Sequence, residues 1–298
     1  MASLVLKGCT GEARITAKAF NMTGRSQQRQ SLFNLTALFE KALAMKNENP
    51  ATNTSSVRIA IVIFAGIMAS VMYTVIFERD LVTCEDPNAA QERIVACSRV
   101  IESNGSNPEV LAFAYNNRGV AHHGQNDYNR AIADYTAAIS TGKANAVEFY
   151  NRGLSFSLAK NPESAIADFS EAIERNETYT DTYLQRCAEY VKMDDRQAAI
   201  ADCSTVLELQ PNNQIARKLK ATLLVQVGKP EEAIIEFDKF LRENPRDTTS
   251  ILMRGILLLE RNSKSKAEAD FRRVLALEPD NEDAMQMLQS IGAEVHQP

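Results

Sequence analysis

Two columns of opposite charge are the first residues in this sequence with the means to do chemistry. Arg118, Arg152, Arg186, Lys220 and Arg254 recur every 34 residues, and Asp134, Asp168, Asp202, Glu236 and Asp270 follow them 16 residues later. A cation beside a carboxylate is raw material for acid–base catalysis, but a catalytic site is built once and these pairs repeat. Arginine can grip a carboxylate through two parallel hydrogen bonds, so the repetition reads as a ladder of structural ion pairs between helices. His122 and His123 are adjacent; neighbours on a helix point in different directions, and the pair lacks the i, i+4 spacing of a helical metal site. There is no glycine-rich phosphate loop after a strand, no G-x-S-x-G, no paired-cysteine zinc pattern and no nucleophile with a base beside it. The residues therefore predict no catalytic group, no metal, no cofactor and no enzyme.

Cysteine is the remaining reactive type. Cys9 lies in a basic N-terminal part, whereas Cys84, Cys97, Cys187 and Cys203 all follow a long apolar run. An even number beyond such a run is what an oxidising compartment favours. Cys187 and Cys203 stand eight residues before and eight after Asp195; if a turn centres there, they lie at one height on antiparallel helices. A disulfide then comes naturally, the alternative being two small buried thiols. Cys84 and Cys97 form the other candidate pair, joining the segment after the apolar run to the first helix of the body.

The elements that must position these residues are set by the same period. Ala131, Ala165, Ala199, Ala233 and Ala267 recur at intervals of 34. Twelve residues upstream runs a small column, Gly119, Gly153, Cys187, Ala221 and Gly255, and four downstream a bulky one, Tyr135, Phe169, Cys203, Phe237 and Phe271. Small residues let two helices approach and bulky ones fill the space between hairpins, so each unit is a helix, a tight turn and an antiparallel helix. Turn residues sit midway between the small columns, at 125–127, 160–162, 193–195, 228–230 and 261–263, and Pro211, Pro245 and Pro279 close three units.

These columns resemble the tetratricopeptide-repeat family over Leu111 to Asn281. The aromatic usual near each repeat start is replaced by Arg217 and Ile251 in the last two units, and the terminal proline by Lys143 and Glu177 in the first two. The resemblance implies an all-α superhelix of five hairpins. Capping helices are expected at Ala89–Ile101 and Glu282–Ile291, with one transmembrane helix ahead of the array. In this family the first helix of each hairpin lines a concave face that holds a peptide or partner helix. Carried onto this chain, the partner-binding candidates are Asn116, Asn117, Tyr150, Asn151, Leu154, Leu184, Gln185, Lys218, Leu219 and Met253. Asn117, Asn151 and Gln185, spaced by 34, form a candidate amide ladder for an extended backbone. The basic clamp that some relatives close on a terminal carboxylate is not reproduced.

From Ile59 to Phe77 there are 19 residues without a charge, about 28 Å as a helix against a hydrocarbon core of about 30 Å. Met1 to Arg58 carries eight Lys/Arg against three Asp/Glu, leaving 25 against 35 in the remainder. The basic flank predicts a cytoplasmic N-terminus, and the acidic body argues against nucleic acid. The run lacks small residues for cleavage just beyond it, so an uncleaved signal anchor is expected.

The predicted organisation is a basic segment over 1–56, poorly ordered or amphipathic (Ser31 to Met45); an anchor over 57–78; a linker and capping helix over 79–110; repeats over 111–281; and a cap and tail over 282–298. The localisation expected is the cytoplasmic membrane, single-pass, with the repeats periplasmic. Asn104-Gly105-Ser106 and Asn176-Glu177-Thr178 have the form of glycosylation acceptors and leave an endoplasmic lumen open. The function expected is a non-catalytic, membrane-tethered scaffold with a protein or peptide partner and no small-molecule substrate. The alternatives are a subunit of an envelope hydrolase, or a cryptic one, and a cytoplasmic regulatory adaptor.

Overall fold

Seven helices in this chain begin where a side chain satisfies loose backbone groups. The computed structural model describes residues 54–103, 107–176 and 178–293. The amphipathic reading of Ser31–Met45, Cys9, the Asn104 triplet and the tail from 294 lie outside the described residues. Within them are thirteen helices and no strand. In chain order these are α1 (Thr54–Glu85), α2 (Ala90–Ser103), α3 (Pro108–Gly124), α4 (Tyr128–Ser140), α5 (Ala146–Leu158), α6 (Pro162–Arg175) and α7 (Thr180–Lys192). There follow α8 (Arg196–Leu209), α9 (Gln214–Gln226), α10 (Pro230–Glu243), α11 (Thr248–Glu260), α12 (Lys264–Leu277) and α13 (Glu282–Ser290).

Asn107, Asp127, Asn161, Asp195, Asn213, Asp247 and Asn281 each cap a helix by accepting from a backbone N–H two or three residues on. Pro108, Pro162 and Pro230 occupy first helical positions, where no N–H is needed. Asn126, Lys160, Asp194, Gly228 and Asn262, again 34 apart, adopt the left-handed conformation with φ between 57° and 72°. Glycine does so freely; Asn and Asp tolerate it; Lys160 carries a Cβ penalty.

The chain divides into two compact units, residues 1–155 and 156–298, with the division inside α5. In the first, α1 runs 32 residues, about 48 Å, and is long and apolar enough to cross a bilayer by length and composition. Val62, Ile63, Met72 and Val75 on it are exposed. The helix continues past the expected end of the anchor at 78 because no Gly or Pro intervenes before Pro87. Its apolar spacing also persists: Phe77, Leu81 and Cys84, at i, i+4 and i+7, pack against Ala96, Cys97 and Val100 of α2 and Ala114 of α3. The segment expected as linker is thus partly helix. Cys84 and Cys97 are joined by a disulfide with Cα atoms 4.8 Å apart. Arg93 closes the end of α1 by donating to the carbonyls of Glu85 and Asp86, each at 2.9 Å. Farther back, Tyr73 Oη donates to Ser103 O at 2.9 Å.

The small column has a steric cause. A Cβ on Gly119 would stand 2.8 Å from Cε1 of Tyr135, which is fully buried on α4. In the second unit a Cβ on Gly255 would stand 2.7 Å from Cε1 of Phe271. Phe237, Phe271 and the alanines at 199, 233 and 267 are fully buried there. Each buried Phe contributes about 1.5–3 kcal/mol. The terminal helix α13 places Ala284 against Phe240, Ile251 and Val274, and Leu288 against Phe271. It covers the face that a further hairpin would otherwise cover.

Candidate functional site

The charged columns form structural pairs. Arg118 grips Asp134 through Nε at 2.9 Å and Nη2 at 2.7 Å, with the same fork between Arg186 and Asp202 and between Arg254 and Asp270. The remaining guanidinium nitrogen ties each hairpin to the preceding second helix: Nη1 donates to Ser98 Oγ, Ser170 Oγ and Asp238 Oδ1 respectively, and that of Arg152 to Thr136 Oγ1. The hydrogen bonds to the carboxylate, outweighing burial, raise the pKa of Arg118 and Arg254 above the ordinary guanidinium value. In the fourth hairpin the rung differs from expectation. Glu236 Oε2 takes Arg217 Nη1 at 2.9 Å, and Oε1 takes Lys239 at 3.1 Å, in place of Lys220. The extra methylene of Glu carries the carboxylate one turn along, to the position where the repeat aromatic is missing.

The two histidines part company. His123 Nδ1 lies 2.8 Å from Ser155 Oγ, whose hydroxyl also reaches Asn151 O at 3.0 Å. His122 Nε2 stands 3.9 Å from Asp134 Oδ2. Burial lowers the pKa of both. No group of three His, Cys, Asp or Glu able to hold a metal occurs among the described residues.

A polar cluster invisible to the periodic reading lies in the second unit. Glu189 is 1% exposed; its Oε1 accepts from Ser157 Oγ and Lys192 Nζ, both at 2.6 Å, and its Oε2 has no partner among the described residues. Ala121, Ser155, Leu223 and Leu257 occupy the equivalent positions in other units, so the buried carboxylate breaks its own column. Lys192 Nζ also reaches Ser157 Oγ at 3.1 Å. The cluster ties the C-terminal end of α7 to Ser157.

Of the partner-binding candidates, those of the first unit are buried: Asn116, Asn117, Tyr150, Asn151 and Leu154 are at most 4% exposed. The carboxamide of Asn151 donates to Asn116 Oδ1 at 3.2 Å, and that of Asn117 to Phe113 O at 2.9 Å. The amide link thus runs from Asn151 to Asn116, not to Asn117. In the second unit Leu184, Gln185, Lys218, Leu219 and Met253 are half-buried on α7, α9 and α11. Leu219 rests on the cluster of Cys187, Cys203 and Leu223, and Met253 on that of Leu224 and Phe237. Lys218 reaches Asp247 Oδ2 at 2.7 Å and lies 5.5 Å from the Phe240 ring centre. Burial pushes the Asp247 carboxyl up, but its bonds to Lys218 and Ser250 outweigh this and hold it below the ordinary value. Cys187 and Cys203 are buried thiols with sulfurs 2.6 Å apart.

A family model for the N-terminal tetratricopeptide-repeat region of Psidin matches residues 187–291, and a single tetratricopeptide-repeat model matches residues 114–141. No curated protein sequence matches the chain. Among solved structures it is similar to YrrB, described as a TPR protein with an unusual peptide-binding site. That likeness is at 21% identity and TM-score 0.57, over 65% of this chain and 98% of that one. It is also similar to a MamA protein at 16% identity and TM-score 0.53, over 63% and 98%. A MamA from Desulfovibrio magneticus follows at 15% and 0.51, over 58% and 97%. At these identities the likeness carries the fold alone. With the family models falling on column residues of the first, third, fourth and fifth hairpins, residues 114–141 and 187–291 are tetratricopeptide repeats.

Proposed function

We propose that this chain is a non-catalytic protein-interaction scaffold. In this reading α1 holds it in the cytoplasmic membrane, with its N-terminus in the cytoplasm and the repeats in the periplasm. The partner is a peptide or partner helix on the first-helix faces. The observation that carries the reading is the half-buried strip on α7, α9 and α11, where Leu184, Leu219 and Met253 keep apolar surface beside Gln185 and Lys218. A surface of that kind gives a peptide apolar anchors with polar groups to fix its register. Asn116, Asn117, Tyr150, Asn151 and Leu154 are the corresponding first-helix residues of the first unit; buried as they are, they leave the partner contacts to α7, α9 and α11. The tethered, exported arrangement is supported by the apolar α1, the basic residues before it and the Cys84–Cys97 disulfide, which suits an oxidising compartment. YrrB, as described, gives a precedent for peptide binding on this fold.

Photocrosslinking amino acids placed at Gln185 and Leu219 of the intact chain in its native membrane test the reading. We expect protein adducts there and none at Ile235, which is 53% exposed on the second helix α10. Equal labelling at all three positions, or none at Gln185 and Leu219, overturns it. Recovery of the chain in the soluble fraction after alkaline extraction overturns the membrane part alone.

A further inference from the structure

The third hairpin departs from the others at two facing positions at once. Where Gly119 meets Tyr135 and Gly255 meets Phe271, α7 and α8 carry Cys187 and Cys203. The first change adds a sulfur to the small column and the second removes a ring from the bulky one, so they compensate only when made together. Both side chains are fully buried, and Leu223 with Tyr190, Ile200 and Leu219 closes the space around them. The sulfurs lie 2.6 Å apart, on helices already held by the Arg186–Asp202 fork. A disulfide needs the sulfurs about 0.6 Å nearer, within the give of two χ angles. The same chain already carries one disulfide, Cys84–Cys97.

We propose that Cys187 and Cys203 are a modification site, a dithiol that closes to an intramolecular disulfide by exchange with an external disulfide, either a thiol–disulfide oxidoreductase or a small molecule such as oxidised glutathione. One thiolate attacks the external disulfide, releasing one reduced thiol and forming a mixed disulfide; the second thiolate displaces the other. Two S–H bonds and the external S–S bond break, one S–S bond forms between Cys187 and Cys203, and the external disulfide leaves as two thiols that carry the electrons and protons. The hydrogen bond shared with Cys203 and burial both favour the neutral thiol and push Cys187 up, so exchange takes place before the hairpin closes or during a local opening. The closed loop of about 15 residues then resists opening by about a hundredfold more than the dithiol. The inference is independent of what the first-helix faces bind.

The test is made on the full chain in detergent, reduced and then incubated with oxidised glutathione in a urea concentration that opens hairpins without unfolding the array. Acid quenching, alkylation under denaturing conditions and peptide mapping complete it. We expect the peptides bearing Cys187 and Cys203 to be linked and lighter by two hydrogens. In Cys203→Ser, Cys187 should instead retain glutathione. The variant Cys187→Gly/Cys203→Phe restores the pairing of the other hairpins, and its unfolding midpoint should fall less on reduction than that of the wild type, since Cys84–Cys97 alone remains to be reduced. Two alkylated thiols after oxidation, glutathione stranded on either cysteine of the wild type, or equal midpoint shifts in the two proteins overturn the proposal. Peptide mapping of the wild type decides the matter if Cys203→Ser does not fold.

Discussion

The fork between Arg254 and Asp270 makes a prediction in which removing more does less harm. The guanidinium side chain is 17% exposed and the carboxylate 7%, so each has given up most of its hydration for the other. Arg254→Leu leaves a buried carboxylate with neither water nor cation, a change that costs about 3–5 kcal/mol. Asp238, which also accepts from Arg254, is 51% exposed on its side chain and returns to solvent at little cost. In Arg254→Leu/Asp270→Leu nothing charged is left behind, and an apolar pair of similar volume is about as stable as the ion pair it replaces. For an array of this size 1 kcal/mol moves the midpoint by about 2–4 °C. The single variant should therefore melt at least about 6 °C below the wild type, and the double variant within about 4 °C of it. Thermal unfolding of the full chain in detergent, followed by far-ultraviolet circular dichroism, reads both. A single variant within about 2 °C of wild type, or a double variant worse than the single, would refute the view that the rungs trade solvation for orientation.

The first unit should lose stability below neutral pH. Because burial lowers the folded pKa of His122 and His123, the unfolded chain binds their protons first, so stability falls as pH drops through about 6.5 and continues to fall until the folded rings protonate. Unfolding midpoints between pH 7.5 and 5.5 check this, and a slope that survives His122→Gln/His123→Gln contradicts the assignment. Lys160→Gly relieves a left-handed residue at φ 60° and should stabilise by about 0.5–1 kcal/mol; a lowered urea midpoint refutes it. Glu189→Leu gives the third unit the residue of Leu223 and Leu257 and sends Lys192 and Ser157 to solvent; the expected gain is about 1 kcal/mol, and a loss would mean that the buried carboxylate does more than tie α7 to Ser157.

Periodicity makes the hairpins legible because each helix repeats the same steric problem, as Gly119 against Tyr135 and Gly255 against Phe271 show. It fails where a residue answers to something other than its column. Glu236 turns from Lys220 to Arg217 through one methylene, a difference of reach that a column of acids conceals. Glu189 hides in a column of uncharged residues and draws its partners from Ser157 and Lys192, whose own columns are mixed. The end of α1 is hard to place from sequence because Glu78, Arg79 and Asp80 read as the limit of an apolar run, while the spacing of Phe77, Leu81 and Cys84 carries the helix on into a packed role. Exposure is the least legible property: Asn116 and Gln185 are both polar first-helix residues, yet one is wholly buried and the other half-open, since neighbouring helices decide that.

α1 is a shaft keyed to α2, which packs in turn against Ala114 of α3 in the first repeat. The sulfur bridge at Cys84, the guanidinium latch of Arg93 and the hydroxyl of Tyr73, eleven residues back, grip the same helix at different heights. A slack tether would let the first hairpin tumble; a keyed shaft passes torque to it. In the membrane reading proposed above, a bilayer too thin for the apolar run tilts the helix. That tilt would reappear as a heading of α3 and α4, so that the thickness of the lipid is written into the direction in which the first repeat faces.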